Sequence, residues 1–341
     1  MQKKILNILQ YIFFLALGLF LLWWTTKNLS PEEVGHLKEL LKEANYVLVI
    51  PAMVMLLLSH YSRAIRWKIL MDPLNIRPSM PNTFFAVMLG YFFNLFVPRL
   101  GEVMKCTILA RYEKTPVDKV IGTMVAERAC DVVSLATVIF LTVVLQINIV
   151  GEYASEELRK LFLDTSGNFN FNKLFIALSV IAAFILLFVF FLKRFSHIKP
   201  IQKINAIIKG IWQGLTSIRY IKKKGAFIFH SVFIWLMYLL SIRVGFFALE
   251  SVSHLGMKPS LSVLSFGSIA MIITQGGIGA YQLAVQKTMT LYGISEVNGL
   301  AFGWLIWAVQ TIMILVCGIL SLLLLPVFNR KKNEAVPSHT Q

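Results

Sequence analysis

The sequence predicts an all-α polytopic membrane protein with about six full spans plus two re-entrant broken hairpins, and three observations carry that expectation. Of its 341 residues 57% are hydrophobic and only 15% charged, outside the range of soluble domains. Apolar runs of about 20 residues, the length a helix needs to cross a hydrocarbon core of about 30 Å, recur along the chain. Lysine and arginine gather in alternate connecting segments, the pattern of loops retained on one side of a membrane.

Six apolar stretches read as spans: 5–24, 46–61, 122–146, 174–192, 226–249 and 299–326. The first follows Lys3 and Lys4. It resembles a signal peptide but is too long and lacks a small-x-small cleavage site, so it is expected to be a retained helix. The second is short. Two further stretches, 83–98 and 261–292, are interrupted by glycine, proline or polar residues and do not read as simple spans.

Loop charge orients the chain. Residues 25–45 carry Lys27, Lys38 and Lys42 against Glu32, Glu33, Glu39 and Glu43, and 147–172 carry Arg159 and Lys160 against four acids, so both are expected outside. The loop 62–82, with Arg63, Arg66, Lys68 and Arg77 against Asp72, and the loop 193–225, with nine basic residues and no acid, are expected in the cytoplasm. Lys3 and Lys4 and the tail Arg330-Lys331-Lys332 place both termini there as well. A full span at 83–98 would put Arg99, Lys105, Arg111, Lys114 and Lys119 outside and invert every later loop. A re-entrant hairpin over 83–119, turning near Asn94 to Gly101, removes the conflict. The same reasoning makes 261–292 a second hairpin, turning at Gln275-Gly276-Gly277-Ile278-Gly279. One membrane domain over 1–330 then divides into halves 1–165 and 166–330 of opposite topology, followed by a basic cytoplasmic tail, 331–341. Inverted repeats of this kind build transporter sites from discontinuous helices, although no residue-by-residue identity links these halves.

The net charge of +16 would suggest nucleic acid in a soluble protein. Between apolar runs it points instead to anionic lipid headgroups, and no nucleic-acid partner is expected. Cys106, Cys130 and Cys317 have neither metal-ligand nor disulfide spacing, and the histidines are dispersed, so no metal site is expected. Walker, dinucleotide, zinc-protease and nucleophile-elbow motifs are absent from the sequence, so no cofactor and no bound ATP are expected. Ile201, Ile204, Ile208, Trp212, Leu215 and Ile218 recur at helical spacing in the basic loop, the pattern of an amphipathic interfacial connector or a lipid-gathering surface.

Charges at membrane depth cost about 2.5–3.5 kcal/mol each on insertion scales and so are paired or face a polar cavity. At the first turn, Val97-Pro98-Arg99-Leu100-Gly101-Glu102, Arg99 and Glu102 are three apart. They either hold a headgroup or pair with each other to support the turn. In Glu127-Arg128-Ala129-Cys130-Asp131, within the first turns of a spanning helix, Glu127 and Asp131 share one face. Arg99, Arg63 and Arg66 are their candidate partners, in a lattice that either binds a phosphate or ties the hairpin to the bundle. Gly276, Gly277 and Gly279 either offer backbone amides to an anion or permit close helix packing.

Together, Arg63-x-x-Arg66-Trp67, Asn94 followed by Pro98-x-x-Gly101-Glu102, Glu127-Arg128-x-x-Asp131 and Gly276-Gly277-x-Gly279 resemble the lysylphosphatidylglycerol synthase transmembrane-region family over nearly the whole chain. That family includes stand-alone bacterial and archaeal membrane proteins and the N-terminal flippase part of the multiple peptide resistance factor. The resemblance implies a flippase-like fold in a bacterial or archaeal cytoplasmic (inner) membrane, moving an anionic, aminoacylated or polyprenyl-linked lipid between leaflets. Gln275 and Gln282 stand where the family often has proline and glutamate, which argues against proton-linked chemistry at Gln282. Two alternatives remain: a membrane transferase acting on a lipid or polyprenyl-phosphate sugar with Glu127 or Asp131 as base, and a non-catalytic partner of a lipid-synthesis enzyme.

Overall fold

The computed structural model describes residues 16–27, 29–97, 99–147 and 220–334, together with the helical positions Phe175 and Ser179. The expected span 174–192 is therefore outside the described residues apart from those two positions. The amphipathic segment 201–218, most of the two long loops, Pro98 and residues 1–15 also lie outside them.

All regular structure among the described residues is helical. The helices are α1 (Ala16–Thr26), α2 (Pro31–Glu43), α3 (Val49–Met71), α4 (Met80–Phe96), α5 (Leu100–Tyr112), α6 (Val117–Leu145), α7 (Lys224–Phe246), the single turn α8 (Glu250–Ser253), α9 (Met257–Ile273), α10 (Ala280–Thr290) and α11 (Glu296–Glu334). Among the described residues four helical segments are long and apolar enough to cross a membrane: Tyr46–Leu74, Val117–Leu145, Lys224–Phe246 and Glu296–Arg330.

Local chemistry sets several boundaries. Ser30 opens α2 through a capping box: its Oγ accepts from the Glu33 amide at 3.2 Å, and its own amide donates to Glu33 Oε2 at 2.7 Å. No residue of α2 is buried, so it is a surface connector. Asn45 opens the next segment by accepting from the Val47 amide at 3.2 Å and donating its own amide to the Ala248 carbonyl at 2.8 Å.

Three boundaries differ from the sequence expectation. The second span does not stop at 61 but runs as α3 to Met71, carrying Arg63 and Arg66 inside the helix rather than in a loop. Ending a span at its first charge assumes that the charge must reach water. Here carboxylates from another helix meet it, so the helix need not end. Helix α6 starts at Val117 rather than 122, which makes Asp131 the fifteenth of its 29 residues, the midpoint rather than the first turns. The last helix continues past Pro326 to Glu334.

Both interrupted stretches fold as helix-turn-helix pairs. In the first, the Gly101 amide donates to Asn94 Oδ1 at 2.8 Å, and a Cβ on Gly101 would lie 1.8 Å from the Gly90 carbonyl oxygen. Glycine at 101 is therefore what lets α5 fold back against α4. In the second, a 3-10 turn at Gln275–Gly277 separates α9 from α10, with Gly277 at φ 74° and Gly279 at φ 76°. The two turns approach each other, because a Cβ on Gly276 would sit 3.4 Å from Leu95 Cδ2. Trp307 of α11 donates its indole N–H to the Gly276 carbonyl at 2.8 Å and pins the second turn.

The largest apolar core joins α7, α9, α10 and α11, with the Phe246 and Phe302 rings 4.6 Å apart at its centre. A second core around Trp67, Met71, Val87, Cys106 and Leu109 fastens the first hairpin to the end of α3. Reciprocal amide bonds between Asn82 and Asn329, 2.9 and 2.8 Å long, tie the start of α4 to the end of α11.

Candidate functional site

Helices α3 and α6 run antiparallel: Arg63 meets Asp131, and one turn further along α3 the Trp67 indole donates to Thr123 Oγ1 at 3.0 Å. The three- and four-residue spacings of Arg63/Arg66 and Glu127/Asp131 bring all four groups onto the shared face. Asp131 accepts from Arg63 at Oδ2 and from Arg66 at Oδ1. Glu127, fully buried, accepts from Arg63 Nη1 at 3.3 Å through Oε1, with Arg66 Nη2 at 3.8 Å from the same oxygen. Its Oε2 accepts from Lys105 Nζ, which α5 delivers from the first hairpin and which lies 4.1 Å from the centre of the Trp67 ring. Helix α7 adds to the shell: Arg63 Nη2 donates to Tyr238 Oη at 3.3 Å, and Arg66 Nη1 lies 3.5 Å from Ser231 Oγ.

Three buried cations thus face the buried Glu127 and the partly buried Asp131, and the lattice carries one formal positive charge in excess. Arg128 and Glu102, 3.6 Å apart at its edge, are partly exposed and roughly balance each other. Burying ionised groups costs several kcal/mol each unless partners replace water, so such a lattice persists only because nearly every oxygen in it accepts from a cation.

A cavity of about 400 Å³ opens beside the lattice. One end is walled by His60, Arg63, Tyr91, Arg128, Asp131 and Tyr238, the other by apolar side chains including Leu135, Ile242, Val263, Leu264 and Ile306. Two wall residues, Val132 of α6 and Ile272 of α9, are 67% and 74% exposed, so the cavity reaches the outer surface between those helices. Behind Arg63, Tyr91 and Arg128 a small space of about 10 Å³, the size of one water, leads to Asn94, Glu102 and Lys105 at the first hairpin.

The structure brings together Arg63, Arg66, Glu127, Arg128, Asp131 and Glu102, but not every residue selected from sequence. Arg99 stands apart: it is exposed at the tip of the first hairpin in a left-handed conformation, φ 63°. Among the described residues it pairs with neither Glu102 nor Glu127; Glu102 pairs with Arg128. The alternative of an Arg99–Glu102 pair is thereby corrected, because the left-handed residue precedes the first turn of α5 and three-residue spacing across it is not helical. Gly276, Gly277 and Gly279 sit at the second hairpin's turn rather than in the lattice. The Gly279 amide donates to Gln282 Oε1 at 2.9 Å and the Gly277 amide to the Thr274 carbonyl at 3.2 Å, so neither amide is free for an anion. A Cβ on Gly279 would lie 2.3 Å from the Gly18 carbonyl, so this glycine serves close packing against α1.

Sequence reading missed Lys105, His60, Tyr91, Trp235 and Tyr238. Lys105, three residues after Glu102 and flanked by Met104 and Cys106, carried a usable signal as a lysine inside an apolar run, but was counted as a loop charge. The aromatic wall residues carried none, since an aromatic residue in an apolar helix has the same local pattern whether it faces lipid, core or cavity. Among the described residues no group of three or more His, Cys, Asp or Glu side chains is arranged to hold a metal ion.

A bundle of long apolar helices, two broken hairpins whose turns meet, and a charged lattice beside an amphipathic cavity define a polytopic helical membrane protein. The family model described as the lysylphosphatidylglycerol synthase TM region matches residues 11–318, and the chain belongs to that family. Membership gives it a role connected with membrane lipids. No curated protein and no solved structure matches it.

Proposed function

We propose that this protein moves a lipid with an anionic headgroup between leaflets, in a bacterial or archaeal cytoplasmic membrane with both termini in the cytoplasm. One observation carries the reading: a single cavity joins a cationic end, with Arg63 and Arg128 in its wall, to an apolar end that opens between α6 and α9. That is the shape a phospholipid requires, with its phosphate held by guanidinium groups and its acyl chains left in the bilayer. The meeting of the two hairpin turns supports it, since discontinuous helices that meet build the substrate sites of many carriers. A lipid-synthesis enzyme is the natural source of the lipid.

A membrane transferase with Glu127 or Asp131 as base is the weaker reading, because both carboxylates are consumed by cations and neither has a free oxygen to take a proton. The test is leaflet exchange of labelled anionic, aminoacylated and polyprenyl lipids in proteoliposomes, comparing the wild-type chain with Arg128→Gln and Asp131→Asn. Exchange that drops about tenfold or more in either folded variant supports the reading. Full exchange in both variants, or a chemically new lipid without exchange, overturns it.

A further inference from the structure

Resting on the translocation reading, we propose that the hydrogen bonds joining α6 to the second hairpin are the outer gate of the cavity: they hold shut the seam along which a bound lipid's chains would slide toward the outer leaflet. A lipid whose headgroup sits in the cavity and whose chains stay in the bilayer needs an open slit between two helices along its whole path. Such a slit exists between α6 and α9 at Val132 and Ile272, both largely exposed. About 15 Å further along α6 and about 10 Å back along α9, at a rise of about 1.5 Å per residue, the same two helices are fastened together. On the topology expected from loop charge, the fastened end faces the outside.

The fastening is built from neutral polar groups. Thr142 Oγ1 of α6 accepts from Ser265 Oγ of α9 at 2.6 Å, since its own proton goes to the Val138 carbonyl at 2.8 Å. One turn on, Gln146 Oε1 accepts from the hydroxyl of Tyr292, just past the end of α10, and that hydroxyl oxygen lies 2.6 Å from Ser262 Oγ of α9. Thr142, Gln146, Ser262 and Ser265 are all buried. Both arms of the second hairpin are thus tied to α6. Apolar side chains would make a permanent joint with no donor to satisfy, whereas these bonds open at small cost. Interhelical hydrogen bonds between hydroxyls in a bilayer are individually weak. A helical serine or threonine that loses its partner turns to the carbonyl one turn back, as Thr142 already does. Gln146 Nε2 is buried without a partner, so the closed clasp leaves one donor unmet that opening to water satisfies.

In liposomes holding the full-length chain, Thr142→Cys with Ser265→Cys sets two sulfurs where bonded oxygens now stand, and oxidation locks α6 to α9. Leaflet exchange of the labelled lipid panel is measured before oxidation, after it and after reduction, with Thr142→Cys alone as the control for the oxidant. A fall of about tenfold or more on oxidation, reversed by reductant and absent from the single variant, supports the gate. Thr142→Val with Ser265→Ala removes the bond without adding a thiol and is expected to exchange lipid as fast as the wild type or faster. Unchanged exchange in the oxidised pair, its disulfide confirmed by loss of free thiol, overturns the gate and leaves translocation standing. Exchange lost in the reduced pair, or on removal of the bond, makes the contact a strut for the fold and likewise overturns the gate. A wild-type chain that exchanges no lipid of the panel overturns translocation, and the gate with it.

Discussion

Glu127 is the carboxylate on which most of the lattice depends, since Lys105, Arg63 and Arg66 all approach it and no water-exposed surface relieves it. Glu127→Gln leaves three buried cations facing Asp131 alone, and removing one partner of a buried pair costs about 3–5 kcal/mol. Denaturation of the detergent-solubilised variant is expected to show a loss of that order. Adding Lys105→Met removes the cation whose only acidic partner among the described residues is Glu127. The double variant is expected to be more stable than Glu127→Gln alone; if it is less stable, Lys105 is held by something other than this carboxylate. At this scale the sequence was partly legible. Two arginines and two carboxylates at helical spacing announced a shared face, and the need for charges at depth to be paired named Arg63 and Arg66 as candidates. Lys105 stayed hidden because positive charge near a turn looks the same whether it points to a headgroup or to a buried acid.

The elements were legible where a local rule governs them. Both broken helices were placed by glycine and by loop charge, and both fold as hairpins at the expected turns. Helix α3 was cut short because a charge in sequence does not reveal its partner across the bundle. The packing of the first hairpin gives a sharp test. Gly101→Ala would drive a Cβ to 1.8 Å from the Gly90 carbonyl and 2.7 Å from Asn94 Oδ1, and backbone oxygen cannot rotate away as a side chain can. The expected result is a loss above the range of about 1–3 kcal/mol usual for overpacking, seen as a collapse of the monodisperse fraction on size exclusion. Gly122→Ala, with nothing within 4 Å of its Cβ position, is the matched control and is expected to purify as the wild type does.

For the whole molecule, sidedness is the quantity that joins topology to function. Arg111 at the end of α5 and Lys258 at the start of α9 are both exposed. A cysteine at 258 is expected to react with a membrane-impermeant thiol reagent in intact cells, and one at 111 only after the membrane is opened. The native cysteines give little background, as Cys106 and Cys130 are buried and Cys317 is half-buried. Labelling at 111 but not at 258 in intact cells would make residues 83–96 a full span, invert every later loop and undo the re-entrant reading of the first hairpin.

Membership of the class followed from the sequence alone, because insertion into a bilayer is decided by the summed transfer energy of each local run of about 20 residues and by the charge beside it. The hairpin turns followed for the same reason, since backbone geometry at glycine is a local property. Only the tertiary structure decided which charges meet, where α3 ends, and that an amphipathic cavity lies beside the ionic lattice. Arg63 and Asp131 are 68 residues apart, and Arg63 and Tyr238 are 175 apart. Contacts over such separations depend on how helices pack, which no periodicity within a single helix records.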